Sequence, residues 1–114
     1  MCGIFFYTQN DTISDRILPQ ILDSLNTIVY RGPEHTKTVL GNNFVYSFHR
    51  LAINNTSDAC NQPYTYEDGK FVYTVMCNGE IYNWRNLVES CNLNLGSCNK
   101  DCGVIFPLFK HLDY

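Results

Sequence analysis

The sequence predicts an α+β domain, and three observations carry that reading. Short apolar strand-like runs occur at the start and in the middle of the chain, one stretch between them repeats its apolar residues every three or four positions, and no internal repeat is present. With 114 residues, 45% of them hydrophobic and 14% aromatic, there is room for one compact domain with a real core.

Each element follows from its local pattern. Ile4, Phe5, Phe6 and Tyr7 form a short apolar strand that ends at the polar stretch Thr8 to Ser14. Ile17, Leu18, Ile21, Leu22, Leu25, Ile28 and Val29 then mark an amphipathic helix from about Asp15 to Val29. Ser14 or Asp15 is expected to cap it, and Pro19 falls near the first turn, where its missing N–H is tolerated. Arg31-Gly32-Pro33 ends the helix. Thr36 to Leu40 and Phe44 to Phe48, separated by Gly41-Asn42-Asn43, read as a hairpin. Phe71 to Cys77 is the strongest strand pattern and follows the turn Glu67-Asp68-Gly69-Lys70. Asn83 is placed to cap a short helix through Val88, and Val104, Ile105, Leu108, Phe109 and Leu112 form a last apolar stripe.

Composition excludes several functions. Eleven acidic against eight basic residues give a net charge of -3 with no basic cluster, so nothing supplies the patch that neutralises nucleic-acid phosphates. The glycines look like turn residues and form no phosphate-cradling loop, which leaves a nucleotide site in this segment without support. No apolar run approaches the roughly 20 residues that span a bilayer, and no signal-like segment opens the chain. A soluble, cytoplasmic protein with a small neutral or zwitterionic ligand is expected. The six cysteines (Cys2, Cys60, Cys77, Cys91, Cys98 and Cys102) are then expected to be reduced, because a disulfide scaffold needs a secretory context. Cys91, Cys98, Cys102 and His111 can in principle make a tetrahedral zinc set, but no pair has the two-residue gap typical of structural zinc, and no metal is expected.

The chemistry-bearing candidates are three. Cys2 directly follows Met1, so removal of the methionine would put a thiol and a free α-amino group on one residue. A terminal amine with an unperturbed pKa of about 7.7–8.0 can take the thiol proton near neutral pH, which makes a complete nucleophile and base. The plainer alternative is a small residue opening a buried strand, since buried cysteines are usually inert. Asn78-Gly79-Glu80 follows the strongest strand, and a carboxamide beside a glycine N–H is what an oxyanion hole requires; an ordinary Asn-Gly turn has the same sequence. Arg50 can hold a carboxylate through two parallel hydrogen bonds, or simply make a surface ion pair.

Together, Met1-Cys2-Gly3-Ile4-Phe5, Arg31-Gly32-Pro33-Glu34, Phe48-His49-Arg50-Leu51-Ala52-Ile53, Gln62-Pro63 and Asn78-Gly79-Glu80-Ile81-Tyr82-Asn83 resemble, in order and approximate spacing, the N-terminal domain of glutamine-dependent asparagine synthetases. That domain is a class II glutamine amidotransferase, a branch of the N-terminal nucleophile hydrolases. The resemblance covers the chain from first residue to last. It implies an Ntn-hydrolase-type αββα four-layer sandwich, here incomplete, with residues 1–114 as its N-terminal part.

The resemblance also implies roles. Cys2 would attack the side-chain amide of L-glutamine, with Asn78 and Gly79 stabilising the oxyanion. Arg50 would clamp the α-carboxylate, Leu51, Ala52, Ile53 and Asn54 would line the pocket, and Glu80 with Asp101 would hold the α-ammonium. Glutamate and ammonia would result, the ammonia passing to a synthetase domain that uses ATP and Mg and is not part of this segment; no cofactor is implied for the segment itself. The sequence departs from the family where Glu34 replaces an aspartate, where Gly103 replaces a glutamate, and at Pro107 within the last apolar stripe. It also stops at Tyr114, where family domains continue, so a truncated and poorly stable chain is expected, with a catalytically inactive binding or regulatory fragment as the alternative to an active glutaminase.

Overall fold

The computed structural model describes residues 1–52 and 58–112. They fall into two compact units, 1–54 and 55–114.

The first unit is built around a three-stranded antiparallel sheet in the order β1-β3-β2. Its strands are β1 (Gly3–Thr8), β2 (His35–Leu40) and β3 (Phe44–Arg50), and the α-helix α1 (Leu18–Asn26) lies between β1 and β2 in sequence. The β1–β3 register pairs Gly3 with His49, Phe5 with Ser47 and Tyr7 with Val45. These residues share one sheet face because strand side chains alternate. On that face Ile21 and Leu25 of α1 are buried with Val45, and Phe5, Tyr7, Ile13, Ile17 and Leu18 pack around them. Each such aliphatic side chain contributes about 1.5–3 kcal/mol when fully buried, so this cluster is the main reason α1 stays on the sheet.

The amphipathic period is thus realised as a helix, but a shorter one than the pattern suggests. Pro19 stands in the first turn of α1, and its ring would clash with the carbonyl of residue 15 if the helix ran further back. The helix therefore begins at Leu18, and the Ser14 backbone carbonyl accepts the N–H groups of Ile17 and Leu18. Neither Ser14 nor Asp15 caps it with a side chain. At the far end the last apolar residues turn into a separate short 3-10 helix, Val29–Arg31.

The hairpin forms as read, with Gly41 N–H donating to the Phe44 carbonyl at 2.8 Å across the turn. Its inner face carries a buried polar chain. His49 is fully buried, with Thr36 Oγ1 at 2.9 Å from Nδ1 and Ser47 Oγ at 3.2 Å from Nε2, and Thr38 Oγ1 lies 2.9 Å from Ser47 Oγ. A neutral imidazole has one donor and one acceptor nitrogen, and two hydroxyls satisfy both. Removal from water lowers the His49 pKa below its ordinary 6.5.

The second unit contains the two-stranded antiparallel sheet β4 (Tyr64–Glu67) and β5 (Val72–Val75), the α-helices α2 (Trp84–Cys91) and α3 (Ile105–His111), and two 3-10 helices, Asp58–Cys60 and Asp101–Val104. β5 is shorter than its sequence pattern. Beyond Val75 the backbone of Cys77 leaves the ladder and is held by one side chain: Gln62 Oε1 accepts its N–H at 2.6 Å and Gln62 Nε2 donates to its carbonyl at 3.0 Å. β4 has no such apolar run and was not legible from the sequence. It exists because it is the partner β5 requires.

Asp68 closes the β4–β5 turn. One carboxylate oxygen accepts the N–H groups of Phe71 and Lys70 at 2.8 and 3.1 Å, and the other accepts from the Tyr73 hydroxyl at 2.8 Å and from Lys110 at 3.1 Å. These donors, the Phe71 amide foremost, hold the carboxyl well below the usual carboxylate range. Lys110 belongs to α3, which stacks its aromatic face on the sheet: Phe106 lies 4.0 Å from Tyr66 and 5.1 Å from Tyr73 between ring centroids.

The two departures at 103 and 107 have physical reasons here. A Cβ at Gly103 would overlap the Cys98 backbone carbonyl, so this tight crossing has no room for a glutamate side chain. Pro107 is tolerated because α3 starts only at Ile105, which leaves the proline in the first turn. The thiol expectation is corrected at one pair: Cys60 and Cys98 form a disulfide, their Cα atoms 5.2 Å apart and within bridging range. Among the described residues no group of His, Cys, Asp or Glu is arranged to hold a metal ion, and no helix is long and apolar enough to cross a membrane.

Two outcomes are expected. Gly32 is buried, and a Cβ there would overlap the backbone of His49 and Arg50. Gly32→Ala should therefore cost about 1–3 kcal/mol and raise the rate of limited proteolysis, whereas Gly79→Ala, with nothing within 4 Å of its Cβ, should not. The His49 ring, followed by NMR, should titrate below 6.5. Because the folded-state pKa is the lower one, its contribution to stability is full above the unfolded value of about 6.5 and is lost as pH falls toward the folded value, which amide protection in β3 would report. A midpoint at or above 6.5 would contradict the burial argument.

Candidate functional site

In the first unit the β1–β3 register decides where Cys2 lies. Gly3 pairs with His49, so the preceding residue runs alongside the end of β3 at Arg50 and Leu51. The sulfur confirms that placement at atomic level, with the Leu51 N–H 3.4 Å and the Leu51 carbonyl 3.8 Å from Sγ. Arg31 Nε donates to the Cys2 carbonyl at 3.2 Å and fixes its backbone from the other side. Met1 is 74% exposed, so the residue whose removal would free the Cys2 amine is accessible to solvent.

Arg50 is buried at the last position of β3, where its carbonyl accepts the Glu34 N–H at 3.2 Å. Gly32 permits this approach: only a residue without a Cβ lets the Gly32-Pro33 turn lie against the backbone of His49 and Arg50. Leu51 and Ala52 follow, both half-buried, while Ile53 and Asn54 lie outside the described residues. The structure thus gathers Cys2, Arg50 and Leu51 in one place.

The second unit gathers the remaining candidates. Asn78, Gly79 and Glu80 follow β5 in an exposed, irregular segment. Asp101, at the start of a 3-10 helix, accepts the Ile81 N–H on Oδ2 at 3.3 Å, and the Cys102 thiol donates to the Gly79 carbonyl at 3.5 Å. Asp101 is therefore a neighbour of the Asn78 to Ile81 segment. Burial, reinforced by a hydrogen bond with Cys77, pushes the Cys102 thiol well above its ordinary value.

Two supporting residues escaped the sequence reading. Arg31 and Gln62 both stood in conspicuous motifs, but only the fold shows them holding the backbone of Cys2 and of Cys77.

Comparison with known proteins identifies the family. Residues 1–112 match the model of a family described as a glutamine amidotransferase domain. A probable glutamine-hydrolysing asparagine synthetase of Acanthamoeba polyphaga mimivirus is 38% identical over 115 residues, covering 96% of this chain and 20% of the relative. Asparagine synthetase 1 of Saccharomyces cerevisiae is 34% identical over 97% of the chain and 19% of its own length. Asparagine synthetase 2 of Bacillus subtilis is 35% identical over 75% of the chain and 11% of its own length. The chain thus spans about one fifth of the length of the first two relatives. No solved structure matches it significantly. A family match that runs from Met1 to Leu112 takes in both sets of residues described above, and the chain belongs to the glutamine amidotransferase domain family.

Proposed function

We propose that this chain carries the glutamine-hydrolysing chemistry of an asparagine-synthetase-type amidotransferase. The observation that carries the reading is the Cys2 sulfur held against Leu51, beside Arg50, in a chain of this family.

After Met1 is removed, the Cys2 amine takes the thiol proton and the sulfur attacks the side-chain amide carbon of L-glutamine. The Asn78 carboxamide and the Gly79 N–H stabilise the negative oxygen of the tetrahedral intermediate, a role that gains most where the charge develops. The same amine passes the proton to the departing ammonia, leaving a thioester that water hydrolyses to glutamate. Arg50 binds the α-carboxylate with its bidentate fork, and Leu51 and Ala52, with Ile53 and Asn54, line the substrate pocket. Glu80 and Asp101 take the α-ammonium. Opposite charges on the two recognition groups suit an amino acid and disfavour a simple amide.

The fold proposed for the complete domain is the αββα sandwich. The ammonia produced would serve a synthetase activity, as the names of the relatives suggest, with ATP and Mg used there and not in this segment.

Mass spectrometry of the N-terminus should show Cys2 as the first residue, and processed protein should release ammonia from labelled glutamine. Cys2→Ala should abolish that release, while Cys91→Ala, on the C-terminal turn of α2, should leave it intact. Equal losses from both would assign the thiols a folding role. Asn78→Ala should lower kcat by about 100- to 1,000-fold with little change in KM, since an oxyanion donor acts on the transition state. A change confined to KM would remove Asn78 from that role.

A further inference from the structure

Past Val75 the β4–β5 ladder has ended, and the segment that carries Asn78 and Gly79 is held by side chains. Gln62 Oε1 accepts the Cys77 N–H at 2.6 Å and Gln62 Nε2 donates to the Cys77 carbonyl at 3.0 Å. Further on, the Cys102 thiol donates to the Gly79 carbonyl at 3.5 Å, and Asp101 Oδ2 accepts the Ile81 N–H at 3.3 Å. Of these contacts, the Gln62 pair is the one on the residue that immediately precedes Asn78.

One planar amide here takes both backbone groups of one residue, as a paired strand residue would. The Cys77 carbonyl shares a rigid peptide plane with the nitrogen and Cα of Asn78. A contact that orients this carbonyl therefore sets the plane from which the Asn78 side chain projects. Gln62 is itself anchored. It is buried between the Asp58–Cys60 turn and β4, and that turn is tied down by Asn61 N–H donating to the Asp58 carbonyl at 3.0 Å and by the Cys60–Cys98 disulfide.

We propose that Gln62 is a positioning residue for the oxyanion donors, holding Asn78 and Gly79 in place through the backbone of Cys77 without touching substrate. The role rests on the glutamine chemistry proposed above. A donor acts only where its N–H meets the developing charge, and a displacement of about 1 Å at such a group costs about 100-fold in rate. Both contacts require an amide at neutral pH. An ionised carboxylate accepts but cannot donate, whereas a protonated carboxyl does both. Gln62→Glu thus breaks the carbonyl contact when ionised and restores it when protonated, and burial raises the pKa of the introduced carboxyl above its ordinary value of about 4.3.

Glutamine hydrolysis by protein lacking Met1 is measured across pH for wild type, Gln62→Glu and Gln62→Met, each variant taken as a ratio to wild type. At about pH 8 both variants should lose about 100-fold in kcat with little change in KM. As pH falls through the midpoint of the introduced carboxyl, the Gln62→Glu ratio should climb by about tenfold or more while the Gln62→Met ratio stays low. Asp58, Tyr64, Cys77, Glu80, Lys100, Asp101 and Cys102 are ionisable groups on the adjoining segments; all three proteins carry them, so the ratio removes their titration and that of the Cys2 amine. A Gln62→Glu loss that does not vary with pH, a loss confined to KM, or full activity in Gln62→Met would overturn the positioning role. So would a Gln62→Glu chain unfolded by circular dichroism at every pH, which would assign Gln62 to the fold. The Asn78 and Gly79 N–H resonances of isotope-labelled Gln62→Glu should move with the same midpoint, one absent from wild type, and resonances that stay fixed would also overturn the role. If wild type released no ammonia, the proposed function would fail, while these resonances would still decide whether Gln62 places Asn78 and Gly79.

Discussion

The pairing of β1 with β3 is the constraint on which the first unit depends. It puts Phe5 and Tyr7 beside Val45 over α1, which gives the sheet its core, and the same register carries Cys2 to the end of β3. A slip of one residue would turn every core side chain to the other face, so the apolar pattern that stabilises the sheet also fixes the position of Cys2.

Polar groups finish what the core begins. His49, buried in the central strand, is hydrogen-bonded by two hydroxyls, and Arg50 follows it at the strand end. In the second unit Gln62 serves Cys77 much as Arg31 serves Cys2: one long side chain satisfies the backbone of a residue next to a candidate functional group. Buried or half-buried backbone beyond the end of a strand has no ladder partner, and a side chain must supply one. Asp68 does the same for the β4–β5 turn, where it ties the sheet to Lys110 of α3.

Much of this was legible from residues alone. The β1 strand, the hairpin and the amphipathic period of α1 follow from alternation and spacing, while Cys2, Arg50 and Asn78-Gly79 stand out from the sequence as candidates by their chemistry and their motifs. What escaped has common physical causes. The start of α1 depends on where the Pro19 ring would clash, β4 depends on a partner distant in sequence, and the Cys60–Cys98 pair depends on a reversal that no local pattern encodes. Gly103 looked like a defect against the family pattern; the crossing over Cys98 shows it as a steric requirement.

The central claim is that the Cys2 sulfur reacts with the side-chain carbonyl carbon of glutamine. An electrophilic glutamine analogue, with a halomethyl ketone in place of the amide, tests this most directly on protein lacking Met1, with the labelled residue identified by peptide mapping. The account predicts a single adduct on Cys2 that excess glutamine prevents. Labelling spread over Cys77 and Cys91, or a Cys2 adduct that forms equally fast with glutamine present, would contradict it.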